Sequence, residues 1–360
     1  MAAVQFWEVD MSLHAAHGAN NLLITTAPAA DADNAAAIAR DHFGIEAEVS
    51  LLTSERDKNF HLVAADGQEY VLKITNSAED PVVTNFQTEA LLHIEARDAG
   101  LPVPRVCRTV DGRTELALPL GGETHTVRLL TYLTGEPQYR APPSAPQRED
   151  LGRCLARLGL ALRDFRHPGA THDLLWDISN VGRLRDWLPN IGDTELRELA
   201  TGFLDRFEDE VRPVQQRQRR QVVHNDFNPH NVLVDPANPV RVTGVLDFGD
   251  MVETPLVNDV AIAASYQVAG AHSLVRAADF VAAYHSVLAL HAEEIDILFD
   301  LIAMRHVTTI TITEWRARLY PENRAYIMRN HPRAAEGLRA FAAIDRDAAR
   351  RVFRQACGME

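Results

Sequence analysis

The stretch from Val222 to Asp250 constrains this chain more than any other. Val222 and Val223 read as an apolar strand, His224 to Asn231 as a polar loop, and Val232 to Val234 as a second apolar strand. A further apolar run, Val242 to Leu246, ends in Asp247-Phe248-Gly249-Asp250. Asp226 and Asn231 stand five residues apart. A loop pinned between strands holds its side chains rigidly, so this spacing predicts a fixed carboxylate with further oxygen donors beside it.

Phosphoryl transfer needs such a set. One carboxylate orients the attacking hydroxyl and accepts its proton, and oxygen ligands hold the Mg²⁺ that bridges the phosphates. Asp226, Asn231 and Asp247-Phe248-Gly249 follow one another in the order of the kinase loop and metal-binding signatures. A lone Asp-Phe-Gly is more often a turn, and a lone Asn a cap; in order and between strands they make a compound signal. His224 is expected to hydrogen-bond the loop, since the carboxylates fill the chemical roles. Asn258 and Asp259, which open the apolar run Val260 to Ala264, are expected to cap a helix.

The length of 360 residues favours two packed units. Residues 1–32 read as an arm and 33–134 as a sheet-rich lobe. Its strand-like runs are 49–52, 60–64, 70–74, 103–107, 115–119 and 124–131, with a helix after Pro81. The proline-rich stretch 135–147 reads as a linker, and 148–360 as a mainly helical lobe, with helices at about 148–166, 194–211, 258–268, 273–290, 293–312 and 334–355. In the first lobe Lys73 lies between Leu72 and Ile74, an odd place for a charge unless it is paired, and Glu89 on the following helix is a candidate partner. The polar turn from Ser54 to Phe60 stands where a phosphate-covering loop would sit. It has no glycine, so only backbone N–H groups and the Ser54 hydroxyl offer themselves.

Composition narrows the partners. A net charge of -14 disfavours nucleic acid, which needs a basic stripe, and suits either a cationic substrate or plain solubility. Three distant cysteines, Cys107, Cys154 and Cys357, imply no disulfide or zinc site. No run of about 18 apolar residues and no signal peptide is evident, so a cytoplasmic location without membrane contact is expected.

The loop from His224 to Asn231, Asp247-Phe248-Gly249-Asp250 and Gly100-Leu101-Pro102-Val103-Pro104 together resemble the aminoglycoside phosphotransferase and choline kinase group, over roughly residues 35–330. Ser54 to Phe60, Leu246 to Met251 and Thr313 to Asn323 are most similar to hydroxylysine kinases and to kinase-like domains fused to class III aminotransferases. The resemblance implies an α+β, bilobal protein-kinase-like fold: an antiparallel sheet lobe with one key helix, and a larger helical lobe. It implies Asp226 as catalytic base, Asn231 and Asp247 as Mg²⁺ ligands, Lys73 with Glu89 at the phosphates of ATP or GTP, and a purine-binding hinge that includes Leu130, Tyr132 and Leu133. Asn225 replaces the Arg of protein kinases, and no Ala-Pro-Glu follows.

The acceptor is expected to be a small hydroxylated amine or amino acid, with 5-hydroxylysine first and homoserine, ethanolamine, choline or an aminoglycoside as alternatives. Asp250, Glu253, Glu314 and Trp315 are candidates to bind its ammonium group. Arg316 and Arg318 would suit a carboxylate or an exposed helix face. Two other readings stay open: a silent nucleotide-binding pseudokinase, and a metal-dependent hydrolase using His224, Asp226, His230 and Asp247.

Overall fold

A computed structural model describes residues 27–52, 54, 57–268 and 272–359. The expected arm lies outside the described residues up to residue 26, as do Thr53, Glu55 and Arg56 of the polar turn. The chain forms two compact units. One comprises the residues up to Thr84 with Cys107–Leu130, and the other Asn85–Val106 with the residues from Thr131 onward.

In the first unit Asp31 caps helix α1 (Ala32–Phe43). Its carboxylate accepts from Asn34 N–H at 2.9 Å, and the Asn34 side chain accepts from Asp31 N–H at 3.1 Å, which satisfies two end donors at once. Ala35, Ile38, Ala39 and Phe43 form the buried face of α1. They pack against a sheet of β1 (Ala47–Leu52), β2 (Lys58–Ala64), β3 (Glu69–Ile74), β4 (Val106–Cys107), β5 (Leu116–Leu120) and β6 (Glu123–Thr131), ordered β1-β2-β3-β6-β4 with β5 paired to β6. Phe60, Leu62, Leu72, Ile74, Val127 and Leu129 supply the sheet's share of this core.

Alternation along the strands then places Asn59 and Lys73, which are register partners, on the opposite face. Lys73 is therefore not a charge inserted into the core. Its neighbours Leu72 and Ile74 are buried at 0 % exposure while Lys73 itself is half-buried, because adjacent residues of a strand face opposite ways.

Helix α2 (Pro81–Arg97) leads into the second unit, where Phe86 stacks on Phe165 and His167 at 5.9 and 5.6 Å. That unit is mainly helical: α3 (Ala145–Ala161), α4 (Thr194–Arg206), α5 (Arg212–Gln215), α6 (Leu256–Ser265), α7 (Ser273–His285), α8 (Ala292–Asp296), α9 (Leu298–Leu319), α10 (Arg324–Ile327), α11 (His331–Ala342) and α12 (Arg346–Ala356). Its short strands are β7 (Glu136–Pro137), β8 (Arg220–Val223), β9 (Val232–Val234), β10 (Val242–Val245) and β11 (Val252–Pro255), arranged as β10-β9-β7 and β11-β8. Gly135 precedes β7 at φ 153°, and a Cβ there would stand 2.5 Å from Thr243 Oγ1 and 2.9 Å from Leu233 Cβ. Only glycine allows that approach to the β9–β10 pair.

Two expected helices are redrawn. The stretch 334–355 is two helices, because Asp345 breaks it by accepting from Ala348 N–H at 2.8 Å as an N-cap. The stretch 293–312 is α8 followed by α9, and α9 continues to Leu319 through a run of β-branched residues. Burial overrides their low helix propensity, and Thr308, Thr309 and Thr313 return their hydroxyls to the carbonyls of Met304, Arg305 and Thr309. No helix of the described residues is long and apolar enough to cross a membrane.

Candidate active site

Everything around Asp226 is held by short strands and by two helices, α6 and α9. The loop leaves β8 at His224, whose Nδ1 accepts from Asp226 N–H at 3.2 Å. The proton is therefore on Nε2, which donates to Leu246 O at 3.0 Å, while the ring packs edge-on against Phe248 at 4.9 Å. His224 thus ties the loop to the following strand, as expected. Asn225 adopts φ 63°, one of three non-glycine residues with positive φ among those described, and its N–H donates to Asp259 Oδ1 at 2.8 Å.

Asp259 does not cap a helix, and neither does Asn258. Both lie inside α6, whose N-cap is Pro255, because their side chains face inward. Asp259 braces the loop, and its burial pushes its carboxyl up to about 6. Asn258 joins a buried network with Asp177, Thr254, Ser179 and Gln215, at 2.8–3.1 Å, that fixes the segment following Trp176.

The Asp226 carboxylate is divided between two sets of partners. Oδ2 accepts from Asn228 Nδ2 and Asn231 Nδ2, both at 2.8 Å, and Oδ1 accepts from Arg305 Nη2 at 2.8 Å. Oδ1 retains lone-pair capacity for one more donor. Desolvation raises its pKa above the usual carboxylate value; Arg305 opposes that shift most, followed by the Asn228 hydrogen bond, while nearby Asp247 adds to it.

Asn231 also donates to Asp226 O at 3.1 Å, so its Nδ2 faces Asp226 and its Oδ1 points away. Leu246 N–H donates to Asn231 O at 2.7 Å, and Val232 pairs with Val245 across β9 and β10. That pairing carries Asp247 next to the loop. Asp247 is exposed, sits at φ 58° and accepts from Gly249 N–H at 3.2 Å. Strained backbone at both Asn225 and Asp247 fits a site whose side-chain directions are enforced by their surroundings.

Sequence reasoning missed Arg305. Its side chain is 5 % exposed, with Nη2 shared between Asp226 and the Tyr266 hydroxyl at 3.1 Å. The guanidinium lies 5.3 Å from the Trp176 ring and 5.9 Å from that of Tyr266. Nε and Nη1 are buried and find no acceptor. A buried unsatisfied donor typically costs about 1–3 kcal/mol, so the arrangement is expensive as it stands. The one available signal was a lone Arg within an otherwise apolar helix. Exposed Arg329, over the Tyr326 ring at 4.1 Å, adds positive potential at Asp226.

The other expected acceptor residues have varied surroundings. Asp250 is half-buried and interacts electrostatically with Arg305. Glu253 lies on β11 opposite Val222, and its carbonyl accepts from Arg220. Glu314 Oε1 is 3.2 Å from His331 Nε2, and Trp315 stacks on Trp187 at 4.1 Å. Arg316 is buried in α9, whereas Arg318 is exposed. Of the expected nucleotide residues, Ser54 and Glu89 are half-buried, Leu130 is buried at the end of β6, and Tyr132 and Leu133 line a cavity of about 840 Å³ with Arg157, Asp235 and Arg241. Asp226, Asn231 and Asp247 do not border that cavity.

Comparisons with known proteins agree with this arrangement. Residues 48–298 match the phosphotransferase enzyme family. A hydroxylysine kinase of Mus musculus is 31% identical over 319 residues, 82% of this chain and 84% of its own length; one from Bos taurus is 30% identical over 328 residues, 84% and 87%. Among solved structures, an amicoumacin kinase in complex with AMP-PNP, Ca²⁺ and its ligand superposes with a TM-score of 0.67 at 14% identity, covering 89% of this chain and 97% of that one. A microcompartment-associated aminopropanol kinase gives 0.65 at 19%, covering 85% and 99%. The antiparallel sheet with its helix, the helical second unit and the match across the Asp226 loop place the fold among the protein-kinase-like phosphotransferases; the chain belongs to the phosphotransferase enzyme family, as a small-molecule kinase with an alcohol group as acceptor.

Proposed function

We propose that the protein transfers the terminal phosphoryl group of a Mg²⁺-bound ATP or GTP to the side-chain hydroxyl of a small amino acid, 5-hydroxylysine foremost. The carrying observation is the division of the Asp226 carboxylate, with Oδ2 locked by two amides and Oδ1 able to accept one further proton donor. In this reading Oδ1 takes the acceptor's hydroxyl. As the oxygen bonds to the γ-phosphorus, its proton passes to Asp226, and the bond to the leaving nucleoside diphosphate breaks.

Asn231 Oδ1 and the Asp247 carboxylate are hard oxygen donors of the type Mg²⁺ prefers. Among the described residues no three His, Cys, Asp or Glu side chains make a metal cage, so phosphate oxygens and water would complete the shell. The ion would neutralise charge on the phosphates. Lys73 with Glu89 is assigned to the α- and β-phosphates, Ser54 to a phosphate oxygen, and Leu130, Tyr132 and Leu133 to the purine. Similarity to hydroxylysine kinases over most of the chain supports the acceptor, and Asp250 is the acidic group best placed for its ammonium, given its interaction with Arg305.

The test is an initial-rate panel of 5-hydroxylysine, homoserine, ethanolamine, choline and an aminoglycoside, each with ATP and with GTP. The expected result is the highest kcat/KM with 5-hydroxylysine. A lead of more than about tenfold for choline or the aminoglycoside, about 1.4 kcal/mol in transition-state binding, overturns the amino-acid reading.

A further inference from the structure

Arg305 is the polar group the chemistry of phosphoryl transfer leaves unexplained. Asp226 is already oriented by Asn228 and Asn231, so a buried guanidinium is not needed to hold it. A single N–H from a lysine would suffice as counter-ion. Instead the chain buries a whole planar fork, directs only Nη2 at Asp226 and Tyr266, and leaves Nε and Nη1 without acceptors in a pocket walled by Trp176 and Tyr266. Such a fork is suited to a planar oxyanion, and the ring faces beside it are suited to an aliphatic chain. Nearby charges agree: Arg329 adds to the positive field, while Asp250 offers the one acidic side chain that interacts with Arg305 besides Asp226.

We propose that Arg305 is the specificity-determining residue that reads the acceptor's carboxylate. The N–H groups of Nη1 and Nε take the carboxylate of a hydroxy amino acid, while Nη2 remains on Asp226, which takes the hydroxyl of the same molecule. This assignment rests on the amino-acid acceptor proposed above and adds the group that recognises it. One guanidinium then bridges both ends of the substrate. Because the two ends dock on adjoining groups and not on the same atom, the site favours acceptors with several carbons between carboxylate and hydroxyl, and serine is too short to reach both.

The experiment compares kcat/KM for 5-hydroxylysine and for its decarboxylated analogue, 1,5-diaminopentan-2-ol, in the wild type, Arg305→Met and Arg305→Lys, with Mg²⁺ and ATP. Nucleotide titration and thermal melting control for folding. The wild type is expected to prefer the amino acid by about 100-fold or more, the size of discrimination seen where a site is built to pair a polar group. In Arg305→Met both rates fall as Asp226 loses its partner, but the preference collapses to within about threefold. Arg305→Lys, which keeps the charge and loses the fork, falls between the two. If Arg305→Met does not fold, Arg305→Lys decides alone, with L-lysine and cadaverine as competitive inhibitors: L-lysine inhibition is expected to weaken about tenfold while cadaverine is unaffected.

An unchanged ratio in folded variants overturns the assignment and leaves the acceptor reading standing, because Arg305 would then act only on Asp226 or on the transferring phosphoryl group. Loss of preference already in the wild type overturns both.

Discussion

At residue 305, α9 turns a guanidinium towards Asp226; at residues 314 and 315, further along the same helix, it turns a carboxylate to His331 and an indole onto Trp187. The first group keeps buried donors without acceptors, whereas the second pair are engaged by protein partners. The difference lies in the neighbours. Near residue 305 the helix faces the catalytic loop, β8 side and the Trp176 segment, whose own polar groups are already paired within the Asp177–Asn258 network. Near residue 314 it faces α11 and the 3₁₀ segment Ile178–Asn190, which present a histidine and a tryptophan as partners. Groups left unsatisfied by the fold are the ones to examine for a ligand.

The largest effect that would break this comparison is expected at Asp226. Asp226→Asn should lower kcat by about 100-fold or more, since it removes the proton acceptor, while nucleotide affinity stays within a few-fold. Initial rates with calorimetric nucleotide titration measure both, and turnover above about a tenth of the wild-type rate would move the reaction centre elsewhere.

A smaller effect separates Arg305 from its helix neighbours through pH. The Asp226 carboxyl is raised by desolvation and held back by Arg305, so activity is lost as pH falls through a value above the ordinary carboxylate range. Arg305→Met removes the nearest stabiliser of the charged form, raising that pKa further, and the acid limb of kcat/KM should move to higher pH. Glu314→Gln should leave the limb where it is. A limb that shifts in Glu314→Gln and not in Arg305→Met reverses the roles of the two ends.

The smallest catalytic effects are expected at the far end. Glu314→Gln and Trp315→Ala should each change kcat/KM by less than about threefold, a difference below 1 kcal/mol. Trp315→Ala should instead lower stability, because loss of the Trp187 stack costs about 1 kcal/mol beyond the lost area, and a melting curve would read it. A tenfold loss of kcat/KM in either, without a change in melting, would return this end of α9 to the acceptor site.

Much of this protein was legible from residue order. The strands of the first unit announce themselves by alternation and turn residues, and the Asp226, Asn231 and Asp247 set by spacing, because a loop between two strands brings its side chains together through contacts close in sequence. The register of β9 with β10 then needs only a short connection to carry Asp247 beside Asn231. Arg305 was not legible: 79 residues separate it from Asp226, and nothing in the periodicity of α9, which is buried nearly all round, marks one face as the one towards the site. For the same reason Asn258 and Asp259 looked like caps at the start of an apolar run and are in fact inward-facing braces. Sequence determined the strands, the loop and the chemistry it carries, through short-range pattern. Tertiary structure alone decided which buried polar groups find partners, because that depends on which distant elements pack against each face of a helix.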